Sequence, residues 1–274
     1  MVRVVQPDRV APRHLVDHLL ASGRFVVSLA EVATLMGLSA RAATVTLSRL
    51  RRDGQLFSPA RGLYVMIEPR YRSWGAVPAV DFIDPMMAAL GRGYYVSLLS
   101  AAELYGAAHQ RPQVFQVMVD RQVANRDFGR VRLRFYVNTR MGSVSTTRRN
   151  SATGQFSIAT PATGCLDLAT RPNEAGGLNN VATVLSELVA ETGLDARQLV
   201  EAAAAYPAAT LRRLGWLLAA VDSAMDLDAL RRALAGRSQQ AARSPVLLDP
   251  AGARNGRINT VWGVMENSIV EADL

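Results

Sequence analysis

A chain of 274 residues, 49% apolar and 20% charged, has length for about two domains and the composition of a folded rather than a disordered protein. Its single cysteine, Cys165, excludes an internal disulfide framework and a multi-cysteine zinc site. All 31 basic side chains are arginine, which excludes lysine-dependent chemistry such as a P-loop or a Schiff base, and the net charge is +8.

That charge is uneven. Residues 1–80 hold 11 arginines against 5 acids, and residues 111–149 hold 9 against 2. Residues 81–110 hold 1 against 3, and residues 150–274 hold 10 against 13. Two basic blocks therefore alternate with two mildly acidic ones, and a basic block is the electrostatic footprint of a nucleic-acid surface. The N-terminal stretch MVRVVQPDRVAPRH has no apolar h-region, and no apolar run approaches the ~20 residues of a membrane span, so a cytoplasmic protein without a membrane partner is expected.

In chain order, Leu15, Val16, Leu19 and Leu20 mark a helix that Gly23 ends, and Phe25, Val26 and Val27 a short strand. The stretch SLAEVATLMGLSARAATVTLSRLRRDG then holds two helical patterns around one glycine. Ser28 with Glu31 is a capping box, which starts a helix near Leu29. Val32, Ala33 and Met36 supply its buried stripe, and Gly37 can take the left-handed conformation that ends it. Ser39 caps the second helix and Gly54 follows it; Ala43, Leu47 and Leu50 form its core face. The opposite side carries Arg41, Val45, Ser48 and Arg52, with Thr44 and Arg49 at its edges. Its third helical position is Ala42, where an acid would complete a capping box but repel phosphate.

Two apolar stretches follow, Leu56-Phe57 and Leu63 to Ile67, separated by Ser58, Pro59, Ala60, Arg61 and Gly62. That hairpin signal makes the whole a winged helix-turn-helix, in which the second helix enters the major groove and the wing touches the backbone alongside. An arginine-rich helix face is also often only a solvated surface. A breaker-rich linker from Glu68 to Asp81 closes this unit near residue 80.

Residues 81–274 read as a larger mixed α/β domain, giving an α+β fold class overall. Tyr94 to Val96 is a strand entering the helix SLLSAAELYG, and Val114 to Val119 is an apolar strand. Arg130 to Val137 alternates strictly, with Arg130, Arg132, Arg134 and Tyr136 on one face. That face could bind nucleic acid or an acidic partner; more often such a face is the wet side of an antiparallel sheet. QFSIATP is a further strand leading into GCLDLATRP, residues 178–236 hold four amphipathic helices, and Ile258 to Met265 is expected to return a C-terminal strand to the middle sheet.

The series YYVSLLSAAELYG, QRPQVFQVMV, GRVRLRFYVN, FSIATPATGCLDLATRP with GGLNNVATVL, and LLDPAGARNGRINTVWGVMEN resembles the AbiEi antitoxins of bacterial type IV toxin-antitoxin systems. The resemblance implies an N-terminal winged helix that binds inverted repeats at the operon's own promoter and represses it. It also implies a C-terminal domain that counters a cognate nucleotidyltransferase-type toxin. By that resemblance Ser39, Arg41, Thr44, Ser48, Arg49 and Arg52 occupy the recognition-helix positions and Arg61 the wing tip.

The residues themselves offer little catalysis. His14 and His18 have metal-ligand spacing, but with His109 elsewhere they lack an HExxH pattern and a third ligand nearby, and a solvated pair is the commoner meaning. Cys165, among small and apolar residues, reads as a buried structural thiol. No metal or cofactor is expected, and no enzyme. Two rivals remain open. One is a nucleic-acid-processing enzyme using Glu103 and Asp120; the other is a winged-helix regulator whose C-terminal half senses a small ligand.

Overall fold

The computed structural model describes residues 9–107, 112–221, 225–236 and 244–272; His109 lies outside them. The chain forms two compact units with a mixed α+β architecture. One contains the chain up to Gly93 with Val123–Arg134 and Arg148–Phe156; the other contains Tyr94–Gln122, Phe135–Thr147 and the chain from Ser157 onward.

In the first unit a 3-10 turn over Pro12–His14 leads into helix α1 (Leu15–Ala21), strand β1 (Val26–Ser28), helices α2 (Leu29–Met36) and α3 (Ala40–Arg52), and strands β2 (Leu56–Ala60) and β3 (Leu63–Met66). The three strands make one sheet in the order β1-β3-β2, antiparallel throughout. Leu15, Val16 and Leu19 of α1, Val27, Val32 and Met36, Ala43, Leu47 and Leu50 of α3, and Leu56 and Met66 close a single core. These are the apolar positions that recur at helical spacing in the sequence, so the burial of one stripe per helix fixes the packing. Truncating Leu47 to alanine here would cost about 2–5 kcal/mol, as for other fully buried leucines.

The segment after β3 is not an open linker. It folds into 3-10 turns over Pro69–Trp74 and Ala79–Asp81, and Ala76, Val77 and Ala79 are buried. Prolines at the starts of short turns supply the fixed φ such turns use, which from sequence alone looks like a flexible breaker-rich stretch. Helix α4 (Ile83–Ala89) follows; Pro85 sits in its first turn, where a missing N–H costs no hydrogen bond. Phe57, Phe82 and Phe128 form an aromatic cluster with centroids 5.0–5.8 Å apart.

The later strands are β4 (Tyr94–Val96), β5 (Phe115–Val119), β6 (Arg126–Phe128), β7 (Val131–Val137), β8 (Thr146–Ser151) and β9 (Gly154–Ala159), with helix α5 (Leu98–Leu104) between β4 and β5. They form a six-stranded sheet in the order β6-β7-β5-β4-β9-β8. Neither β6 nor β8 has an apolar alternation: β8 reads TTRRNS and is exposed over most of its length, as befits an edge strand.

The second unit is built around helix α6 (Pro161–Thr170), buried from Ala162 to Ala169. Helices α5, α7 (Leu178–Thr192), α8 (Ala196–Ala203) and α9 (Ala208–Ala220) pack against it, and α10 (Asp228–Ala235) packs on α8 and α9. The C-terminal run does not join the six-stranded sheet. Strands β10 (Val246–Leu247), β11 (Arg257–Asn259) and β12 (Val264–Glu266) form a separate sheet in the order β10-β12-β11. The run expected to be one strand is broken by a turn, in which the Asn259 side-chain oxygen accepts from Trp262 N at 3.2 Å and Gly263 has φ 63°. Trp262 then lies over Gly215 of α9, where any Cβ would strike its ring, and the small sheet is held against α9 instead.

Candidate nucleic-acid interface

The helix-turn-helix is assembled by local hydrogen bonds that its sequence specifies. Ser28 N donates to Glu31 Oε2 at 2.7 Å while Glu31 N donates to Ser28 Oγ at 3.2 Å, the reciprocal pair that starts α2. Gly37 ends it at φ 62°, a left-handed conformation that glycine adopts at little cost, with the Arg9 side chain close by. Ser39 Oγ then accepts from Ala42 N at 3.3 Å and starts α3. Because that oxygen is engaged as an acceptor, the Ser39 hydroxyl proton is left to donate outward.

On α3 the core face is buried as its periodicity requires, and Arg41, Thr44, Val45, Ser48, Arg49, Arg51 and Arg52 are all exposed. Among the described residues the four arginines have no hydrogen-bond or ion-pair partner, and α3 has no acid in its first turn. Three of them, Arg49, Arg51 and Arg52, lie in the last turn, where positive charge favours the helix dipole. Arg41 lies at the other end. A cation in the first turn opposes the dipole by about 0.3–1 kcal/mol, so helix stability does not account for it. Thr44 Oγ1 donates to Ala40 O at 2.8 Å, which leaves it able only to accept.

The wing turn is tighter than the sequence suggests. Pairing runs Leu56↔Met66, Phe57↔Val65 and Ala60↔Leu63 with an irregularity between Phe57 and Ala60, so the turn is Arg61-Gly62 alone. Pro59 lies at that irregularity, where no ladder N–H is needed, and its carbonyl accepts from Arg126. Arg61 is exposed at the tip, with Gly62 at φ 78°.

The second arginine face differs. Arg130, Arg132 and Arg134 lie in Val123–Arg134, the segment grouped with the winged helix in one compact unit. Arg130 and Arg132 are exposed, but the Arg134 side chain is only 27% exposed and binds Asp127 Oδ1 at 2.7 Å. That hydrogen bond holds the Asp127 carboxyl below the usual carboxylate range.

The remaining candidates do not converge on chemistry. His14 and His18 are exposed, and His14 Nε2 accepts from Arg13 at 3.0 Å. Among the described residues no three His, Cys, Asp or Glu side chains gather as a metal site. Asp120 Oδ2 stands 3.6 Å from Arg121. Cys165 is fully buried and burial pushes its thiol up to about 12, which makes it a poor nucleophile.

A polar cluster in the second unit escapes the sequence reading. Asp167 on α6, only 3% exposed, accepts from Ser97 at 2.6 Å, Tyr206 at 2.8 Å and Tyr95 at 3.0 Å. Burial pushes its carboxyl up to about 6 against the pull of those three hydroxyls. Asn138 donates to Tyr95 at 2.8 Å, and a cavity of about 180 Å³ lies alongside. The one signal in sequence is an aspartate amid CLDLA; its partners are 70, 72 and 39 residues away, beyond any local pattern.

Two family models match. Residues 14–67 match the transcriptional regulator of the AbiEi antitoxins, and residues 95–220 match the AbiEi antitoxin C-terminal domain. The chain belongs to the AbiEi antitoxin family. The fold is similar to that of the RV2827C protein from Mycobacterium tuberculosis, seen in a crystal structure, at a TM-score of 0.65 and 19% identity, covering 100% of this chain and 96% of that one. No curated protein matches.

The regulator match of this antitoxin spans α1 to β3 and so contains all seven candidate residues of α3 and the wing. The match to the C-terminal domain begins at β4 and ends with α9, and it includes Arg130, Arg132 and Arg134. The small β10-β12-β11 sheet lies outside both. Among the described residues no helix is long and apolar enough to cross a membrane.

Proposed function

We propose that this antitoxin represses its own operon by laying α3 in the major groove at inverted repeats of its promoter, with Arg61 of the wing on the adjacent backbone. The observation that carries the reading is the acid-free face of α3, with four exposed arginines lacking partners among the described residues and Arg41 placed against the helix dipole. Ser39, Arg41, Thr44 and Ser48 then approach base edges and phosphates at the helix start, and Arg49 and Arg52 hold phosphate further along. The division of labour proposed is residues 1–80 for DNA and the rest for countering a nucleotidyltransferase-type toxin, in the cytoplasm. Arg130, Arg132 and Arg134 are the candidate surface for the toxin or its nucleic acid. A DNase footprint of the full-length chain on the DNA upstream of its own reading frame tests the first half, and a paired, symmetric protected site is expected. Uniform protection, or none, would overturn it. Co-expression with the product of a neighbouring nucleotidyltransferase-like frame tests the second half, with restored growth expected.

A further inference from the structure

Resting on the DNA-binding reading, we infer that α3 recognises the C5-methyl group of a thymine, through Val45. Val45 is 68% exposed, the largest exposure of any large apolar side chain among the described residues of the first unit. Burial does not hold it there, and a β-branched side chain is a weaker helix former than alanine, so the fold has no use for it. Its place has a use. It stands one turn after Arg41 and one before Arg49, on the face those arginines share, in the half of the helix that meets base edges when such a helix enters the groove.

A valine can neither donate nor accept a hydrogen bond, so it cannot tell bases apart by their polar edges. The one apolar group that the major groove displays is the thymine methyl. The neighbouring Thr44 hydroxyl is turned back to Ala40 O at 2.8 Å and does not compete as a donor. The occupant is duplex DNA rather than an apolar protein surface because α3 places exposed arginines on either side of the valine, without partners among the described residues, and carries no carboxylate of its own.

The test uses the full-length chain and the consensus duplex it enriches from a randomised pool. Each thymine is replaced in turn by deoxyuridine, which removes one methyl and leaves the polar edge unchanged. One position in each half-site is expected to weaken binding by about 3–10-fold, the value of one apolar contact. Val45→Ala should abolish the thymine-over-uracil difference at that position, whereas Val45→Thr, which keeps a branched methyl, should retain it. An exposed position tolerates both variants without loss of fold. If no uracil substitution matters, or if Val45→Ala keeps the full difference, the inference is wrong while DNA binding stands. If no duplex is enriched, the DNA-binding reading fails and this inference with it.

Discussion

The two arginine faces, on α3 and on β7, look alike in sequence and differ in their surroundings. Arg132 of β7 lies opposite Asp127 of β6 in the strand register, and Arg134 is ion-paired to that same carboxylate. A strand in a sheet has a neighbour at every second residue, so an acid can be supplied from across the ladder. On the outer face of α3 no acid is paired with an arginine among the described residues, and its own sequence offers none from Ala40 to Arg52. The difference teaches that a count of arginines does not distinguish a face whose charge is matched from across a ladder, as on β7, from one that carries no acid of its own, as on α3.

The strongest way to break this comparison is to remove arginines from α3. Arg41→Ala, Arg49→Ala and Arg52→Ala combined should lower operator affinity by at least ~100-fold and reduce the salt slope by about three, measured by fluorescence anisotropy. A loss under tenfold would place the α3 face with the solvated kind. Removing the wing tip is milder. Arg61→Ala should weaken operator and unrelated DNA alike, by several-fold, and lower the salt slope by about one.

A smaller effect sharpens the contrast within α3 itself. Arg41→Ala should raise thermal stability slightly, by about 0.3–1 kcal/mol, because a cation leaves the positive end of the helix dipole. Arg52→Ala, at the other end, should lower stability by a similar amount. Calorimetric melts of the two variants would show opposite signs, and equal signs would remove the argument that Arg41 is placed for a ligand. A last stability prediction belongs to β7: Arg130→Ser, Arg132→Ser and Arg134→Ser together should leave the fold intact, since Arg130 and Arg132 are exposed and the half-buried Arg134 pairs with an exposed carboxylate. Promoter repression should persist while protection from the toxin falls. Full protection would mark the face as plain solvated surface; lost repression with protection intact would extend the DNA footprint to it.

What the sequence made legible were features whose cause is local. The Ser28–Glu31 box, the αL turn at Gly37, the Ser39 cap and the stripe Ala43, Leu47, Leu50 each involve residues within one or two turns, and each appears as read. The alternation of Arg130 to Val137 likewise gives the buried Leu133 and Phe135. Features with distant causes were not legible. The strands β6 and β8 lack apolar alternation because they are short or at an edge, and only their partners define them. The tail was misread because the turn at Asn259 to Gly263 and the docking of Trp262 on Gly215 depend on a helix some 45 residues earlier. At the candidate site, the arginines were visible by type, but that Arg134 is engaged and Arg41, among the described residues, is not depends on contacts that spacing alone does not encode.

The central claim is that α3 reads sequence, and the specificity ratio measures it most directly. Affinities of the full-length wild type and of Arg41→Ala are compared on the footprinted duplex and on a scrambled duplex of equal composition, at one salt concentration. The account predicts a wild-type ratio of at least ~10³ that falls by about tenfold or more in Arg41→Ala, with scrambled-duplex affinity reduced only as the loss of one charge requires. A wild-type ratio near one, or a ratio unchanged by Arg41→Ala, would contradict it.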